Sequence, residues 1–422
     1  MRIPLQGPIR KVLLFGSSSL LALTYIGFAT TQYLAAYFSE KPDLVNLQRA
    51  ARLAPGNAEY DYRIGRYFSL VAMSPAEAAQ RYQSAVTLDP HKARYWFGLA
   101  TAYQILGETQ NQMNALERAI QSDPKTPDVA WQSANLYLVQ GETAKSMHEF
   151  RVVLENDPYL AAAALQLCWR ANPDVDALLR DVVPPMPGVY SSFLGFLVSR
   201  KQSAAAAKVW TQMVQLHQPV EPQNAFDYVR YLVQEREVAQ ARAAWREAAA
   251  ISDLSTYQPS PANLVVNGDF GLPILNAGFD WQYEKPAGVS FALDPTESHL
   301  GTRSLLISFA GTPIDEVGLR QLVPVEPNTR YDFSAYFKAP HMDGAGGAKF
   351  LIQDSYGGST FFMSDDLKNA EVWKQVSGTF TSGPDTKLLV IRLQRIPPGS
   401  PIRGNLWIDG VRLVAGQQGS TR

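Results

Sequence analysis

Four prolines stand at almost equal steps along the first part of the chain: Pro55, Pro90, Pro124 and Pro158, separated by 35, 34 and 34 residues. Each closes a run whose apolar residues recur at helical spacing. Ala78, Tyr82 and Ala85 precede Pro90, Leu116 and Ala119 precede Pro124, and Phe150 and Val153 precede Pro158. Trp96, Leu99, Tyr103 and Gly107 follow Pro90. Proline lacks an N–H and its ring clashes with the turn before it, so it stops a helix. A period near 34 residues, with small and aromatic residues at fixed offsets, predicts helix–turn–helix units that bury their apolar faces only by stacking on one another.

These residues resemble the tetratricopeptide repeat. In that family small residues sit where two helices approach closely, and large ones fill the groove between them. The first unit shows only a second helix, with Leu47, Ala50 and Pro55, and three further units run from about Ala58 to Pro158. Trp96 and Trp131 open the first helices of two of them. Asn172–Pro173 and Pro184–Pro185–Met186–Pro187 interrupt the pattern and mark a bent connection. It returns in Ala206, Trp210 and Met213, then in Ala241, Trp245 and Ala248. Residues 43–252 are thus expected to form an all-α solenoid of five or six helix pairs with a concave face. The resemblance implies recruitment of protein partners. Arg63, Arg66, Gln132 and Asn135 are candidates to receive a partner's peptide, or are simply solvated.

A chain of 422 residues exceeds a single core and predicts several domains. Its net charge of −1 supplies no basic field, which argues against nucleic acid as a partner. Cys168 is the single cysteine, so no internal disulfide reports the redox compartment. From Val12 to Phe38 no charged residue occurs, and Arg2, Arg10 and Lys11 precede the run. About 20 apolar helical residues cross a bilayer. Residues 12–38 therefore read as a transmembrane anchor, with residues 1–11 in the cytoplasm and the bulk of the chain in the periplasm or outside the cell. The alternative is a secretory signal cleaved near Ala29 or at Ala35–Ala36, although such apolar regions usually run 7–15 residues.

Residues 253–262 are turn-rich and lack helical period, as a linker would. Beyond them short β-prone segments alternate with turn residues: 263–266, 304–309, 318–324, 330–338, 349–353, 374–380, 388–394 and 406–413. Tyr331, Phe333, Ala335 and Phe337 alternate as one face of a strand. So many short strands in about 150 residues predict an all-β sandwich or jelly roll, followed by a tail at 416–422.

Five segments make this region, residues 263–415, similar to galactose-binding-like jelly rolls, and specifically to carbohydrate-binding modules of families 4 and 9. They are Asn263–Phe270 with Gly278–Trp281, Gly301–Leu305, Pro327–Ala335, Trp373–Phe380 and Trp407–Leu413. The resemblance implies polysaccharide binding, and often a structural calcium between the first loop and the last strand, with Asp269 and Asp409 as ligands. The family usually has Glu after the Phe of the first motif, whereas this chain has Gly271. Sugar rings stack on aromatic side chains while polar groups bind their hydroxyls. That logic selects Tyr356, Phe361 and Phe362 with Gln353, Arg392 and Gln394; Trp281 and Trp373 occupy motif positions that are usually core.

No catalytic residues are expected. Asp315–Glu316 and Asp365–Asp366 are sequence neighbours in loops, not carboxylates facing each other across a cleft. The sequence also lacks a Gly-x-Ser-x-Gly elbow, a phosphate loop and a His-Glu-x-x-His motif. The combination of anchor, solenoid and jelly roll suggests a scaffold in bacterial envelope or exopolysaccharide assembly. A jelly roll that docks a protein, or a glycan hydrolase with an unrecognised site, are the alternatives.

Overall fold

The structure is a computed structural model that describes residues 8–41 and 43–416. The first seven residues of the expected cytoplasmic segment and nearly all of the expected tail lie outside the described residues. The chain divides into two compact units, Met1–Pro184 and Pro185–Arg422. The division falls in the Pro184–Pro187 interruption, not at the border between helices and strands.

The first unit consists of helices α1 (Pro8–Ser39), α2 (Leu44–Leu53), α3 (Ala58–Leu70), α4 (Pro75–Leu88), α5 (Ala93–Leu106), α6 (Thr109–Ser122), α7 (Pro127–Val139), α8 (Thr143–Asn156), α9 (Ala161–Ala171) and α10 (Val175–Asp181). Pro55, Pro90, Pro124 and Pro158 all sit in the turns that follow second helices. Tyr82 on α4 shows why the pattern needs glycine. A Cβ on Gly65 would lie 2.8 Å from its ring, and one on Gly98 2.6 Å, so only bare backbone lets α3 and α5 close on the wedge. The helix missing from the first sequence unit is supplied by the end of α1. Ala35 is fully buried and packs with Ala50, Ala54 and Tyr60, while Arg63 donates to the Ser39 carbonyl at 3.0 Å. Among the described residues α1 is the helix long and apolar enough to cross a membrane.

The second unit begins with α11 (Pro187–Ser199), α12 (Ser203–Gln215), α13 (Pro222–Gln234) and α14 (Val238–Ile251). It continues into a sandwich of two antiparallel sheets. Its strands are β1 (Gln282–Tyr283), β2 (Val289–Asp294), β3 (Ser304–Ile314), β4 (Glu316–Pro324), β5 (Arg330–Ala339), β6 (Asp343–Gly344), β7 (Gly347–Asp354), β8 (Thr360–Met363), β9 (Ala370–Thr381), β10 (Leu388–Ile396) and β11 (Ser400–Ala415). One sheet has the order β1-β4-β10-β7-β8; the other runs β2-β3-β11-β5-β9, with β6 beside β11. Alternate residues such as Tyr331, Phe333, Ala335 and Phe337 fill the space between the sheets. Trp281 lies in this core, fully buried and stacked on Phe270 at 5.3 Å.

Seven of the eight predicted strands are present. Residues 263–266 are not a strand, and attach to β11 through the Leu264 N–H and the Asn263 amide. The expected linker is packed. Leu254 and Tyr257 are buried, and the Tyr257 carbonyl accepts from Trp245 Nε1 at 2.8 Å. The Trp245 indole in turn covers Gly278, whose φ is +59° and whose Cβ would lie 2.0 Å from the ring. Phe279 meets the same indole edge-on at 5.9 Å. Thus α14 and the sandwich share a hydrophobic seam.

Truncating this seam is expected to cost about 3–5 kcal/mol, the usual price of deleting a buried Trp side chain. Trp245→Ala should lower the denaturant midpoint of the second unit and open residues 252–262 to limited proteolysis, with the wild type resistant there. Equal resistance in both proteins would contradict the packing.

Candidate functional site

The five-stranded sheet turns one face to the core and the other outward. Across the outer face, cross-strand neighbours bring together Gln282, Arg320, Arg392, Leu351 and Met363 in one row, and Leu322, Val390, Gln353 and Thr360 in the next. Gln394 lies opposite both Glu316 and Lys349. The structure therefore unites three of the predicted sugar-site residues, Gln353, Arg392 and Gln394. Arg392 donates to Gln394 at 3.3 Å and pairs with Glu316 at 3.5 Å, and its buried Nε has no hydrogen-bond partner among the described residues. Gln353 donates to Thr360 Oγ1 at 2.9 Å. Arg320 and Arg392 stand directly opposite each other, an arrangement of like charges that costs stability.

The three predicted aromatics do not join this face as an open platform. Phe361 is stacked on Phe380 at 5.9 Å, and Phe362 packs against Phe333 at 5.3 Å. Both rings belong to the edge of the core, because β8 closes the sandwich there. Tyr356 faces the helices of its own unit. Its hydroxyl donates to the Val233 carbonyl at 2.7 Å, and the Arg236 guanidinium lies 5.2 Å from its ring centre. Periodicity shows which residues share a strand face, but not which edge another element covers.

The suggested calcium ligands lie at the first loop and the last strand, as the resemblance implied. Asp409 is fully buried. Its Oδ2 accepts from the N–H groups of His299 and Leu300, both at 2.7 Å, and its Oδ1 from Gly410 N at 2.6 Å. Burial pushes its pKa up, the three N–H groups oppose that rise, and the charge of Asp269 adds to it. Asp269 is exposed and accepts from Gly271 N at 3.2 Å. Arg303 occupies the loop's carbonyls, with Nε donating to Phe270 O at 2.9 Å and Nη2 to Gly271 O at 2.7 Å. Calcium takes six to eight oxygens. Two carboxylates beside a guanidinium do not furnish that set, and the described residues contain no group of three or more His, Cys, Asp or Glu placed to hold a metal. Nearby Asp280, pushed up to about 6 mainly by burial, accepts from Leu275 N at 2.7 Å and shapes the same loop.

An aromatic group that the strand pattern left unassigned lies on the outer face of the six-stranded sheet. Tyr336, Trp373 and Trp407 are all partly exposed there, and Trp373, expected as core, is not buried. The His299 ring is stacked on Tyr336 at 3.7 Å and lies 5.8 Å from Trp373. Trp407 Nε1 donates to Asp294 Oδ2 at 2.8 Å. Alternation along 330–339 already put Tyr336 opposite to the core residues, a signal that would have marked this face.

On the solenoid, Arg63 is engaged by Glu59 at 3.0 Å as well as by Ser39, so it serves the packing of the first helices. Asn135 donates back to the Trp131 carbonyl at 2.7 Å, whereas Arg66 and Gln132 are exposed. Val71, Ile105 and Val139 form a further exposed apolar series at steps of 34 residues, each at the turn within a helix pair. The carboxylate neighbours are partly paired: Glu316 with Arg392, and Asp366 with Lys349 at 3.4 Å.

Residues 262–399 match the family model of a carbohydrate binding domain of the 4/9 type. No curated protein matches the chain. Among solved structures, a family 4 carbohydrate-binding module is 16% identical, with 36% of this chain and 99% of that one covered and a TM-score of 0.29. MamA is 21% identical over 38% of this chain and 87% of that one, at a TM-score of 0.29. Yeast Tom70 is 14% identical over 53% of this chain and 43% of that one, at 0.27. The chain thus joins a helical-repeat region to a two-sheet sandwich that matches a carbohydrate binding domain of the 4/9 type over residues 262–399.

Proposed function

We propose that the protein is a non-catalytic, membrane-anchored adaptor whose sandwich binds polysaccharide while its solenoid recruits proteins of a bacterial envelope or exopolysaccharide assembly. The match of residues 262–399 to a carbohydrate binding domain carries this reading. The sugar site is the outer face of the five-stranded sheet, where Gln353, Arg392 and Gln394 present amide and guanidinium groups to hydroxyls. The directly opposed Arg320–Arg392 pair supports that choice, since like charges held face to face cost stability unless a partner group comes between them.

The anchor is retained in this reading. Its last turns complete the first helix pair, and cleavage at Ala35–Ala36 would uncover Ala50 and Ala54. The positive residues before the apolar run orient the N-terminus toward the cytoplasm and the rest of the chain into the periplasm. In this reading Arg303 holds the first loop of the sandwich and Asp409 holds the loop between β2 and β3, with no calcium required.

Affinity electrophoresis of the detergent-solubilised chain through gels cast with a panel of polysaccharides tests the glycan reading. Retardation by at least one polymer is expected, weakened about tenfold by Arg392→Ala or Gln353→Ala through lost hydrogen bonds. Unretarded migration across the panel would favour a sandwich that docks a protein. A separate melting experiment tests the loop. Calcium or chelator should leave Tm unchanged, because only a ligand of the native state raises it. Arg303→Ala should cost about 2–4 kcal/mol from two charge-assisted hydrogen bonds. A rise in Tm on adding calcium would restore the metal.

A further inference from the structure

The outer face of the six-stranded sheet has the composition that the five-stranded face lacks. In register across it stand Ala292, Leu306, Trp407 and Lys338. Trp373 follows on β9, next to Lys374, which lies opposite Phe337. Trp407 and Trp373 are therefore two strands apart, a separation of about 10 Å, comparable to two rings along a polysaccharide. We propose that this face is a second saccharide-binding platform, on which a neutral polysaccharide lies across β11, β5 and β9 and stacks on Trp407 and Trp373.

Three features make the platform a built one. First, the Trp407 indole is fixed by its bond to Asp294, and the Lys338 ammonium stands 6.0 Å from its ring centre. Second, Lys338 is neutralised by Glu297 at 2.8 Å, which leaves the Asp294 carboxylate beside Trp407 as the charge on the platform, so the face repels acidic sugars and favours uncharged ones. Third, buried Asp409 holds the loop between β2 and β3 by two backbone N–H groups, which sets His299 on Tyr336 and extends the aromatic surface toward Trp373. Fixed aromatic rings bind with little loss of side-chain entropy, and the apolar face of a pyranose packs on them while its hydroxyls reach the polar neighbours. Trp373 remains partly exposed, so its ring is open to a ligand.

This platform rests on the sandwich being a glycan binder, but it uses the opposite sheet. The test titrates the detergent-solubilised chain with cellohexaose, xylohexaose and mannohexaose by calorimetry, for the wild type, Trp373→Ala, Trp373→Tyr, Trp407→Phe and Arg392→Ala. Affinity for at least one hexaose should fall about tenfold or more in Trp373→Ala, the loss expected on truncating an aromatic anchor, and be largely restored in Trp373→Tyr. The Trp407→Phe variant keeps a ring and should bind within a few-fold of the wild type. Hexaose binding unchanged in Trp373→Ala but lost in Arg392→Ala would overturn the second platform and leave the five-stranded site standing. No binding of any hexaose by the wild type would overturn the second platform, whereas the five-stranded site falls only if the polysaccharide gels also show no retardation. Melting temperatures of the variants identify any loss that comes from unfolding.

Discussion

The second unit depends on the burial of one indole. Trp245 sits on Gly278, meets Phe279 and hands its N–H to the Tyr257 carbonyl. A side chain at Gly278 would collide with the ring, so the glycine is required by the contact as well as by its positive φ. The same seam immobilises the chain between helix and strand, because Tyr257 also donates to the Pro273 carbonyl at 2.8 Å. With Tyr356 bonded to Val233 and Arg242 paired with Glu326 at 3.0 Å, the last helix pair and the sandwich form a common body. A polymer held by the sandwich would therefore load helices α13 and α14 directly, without a slack tether.

Much of this architecture was legible in the residues. The proline steps located the helix turns because a stacked repeat demands the same stop at the same place. Alternation located most strands because one face of each is buried. The first helix escaped because an apolar run reads as membrane-spanning whether or not its final turns pack against protein, as Ala35 does. Residues 253–262 looked like a linker because turn residues report backbone shape, not burial. Strands β1, β6 and β8 are too short to show a period.

The site was less legible than the fold. Gln353, Arg392 and Gln394 converge because parity turns them outward, which is readable, and because β7 pairs with β10, which is not. Tyr356, Phe361 and Phe362 fail as an open platform because their fate depends on what lies over a sheet edge: helix α13 for Tyr356, and β9 for the two phenylalanines. Asp409 illustrates the limit of inference by resemblance. The carboxylate stands where the family implied, yet its oxygens serve the backbone of a loop that positions His299, and Arg303 claims the carbonyls beside it.

The central claim is a division of labour, with glycan on the sandwich and protein partners on the solenoid. Hydroxyl-radical footprinting of the full chain, with and without a saturating oligosaccharide, tests it most directly. Met363 is 53% exposed on β8 in the row that contains Leu351 and Arg392, so it is a natural reporter. The account predicts that the sugar protects Met363 and other side chains within 262–399, and leaves Tyr67, Met113 and Trp131 on the solenoid unchanged. Protection confined to helices α3–α8, with none in the sandwich, would contradict it.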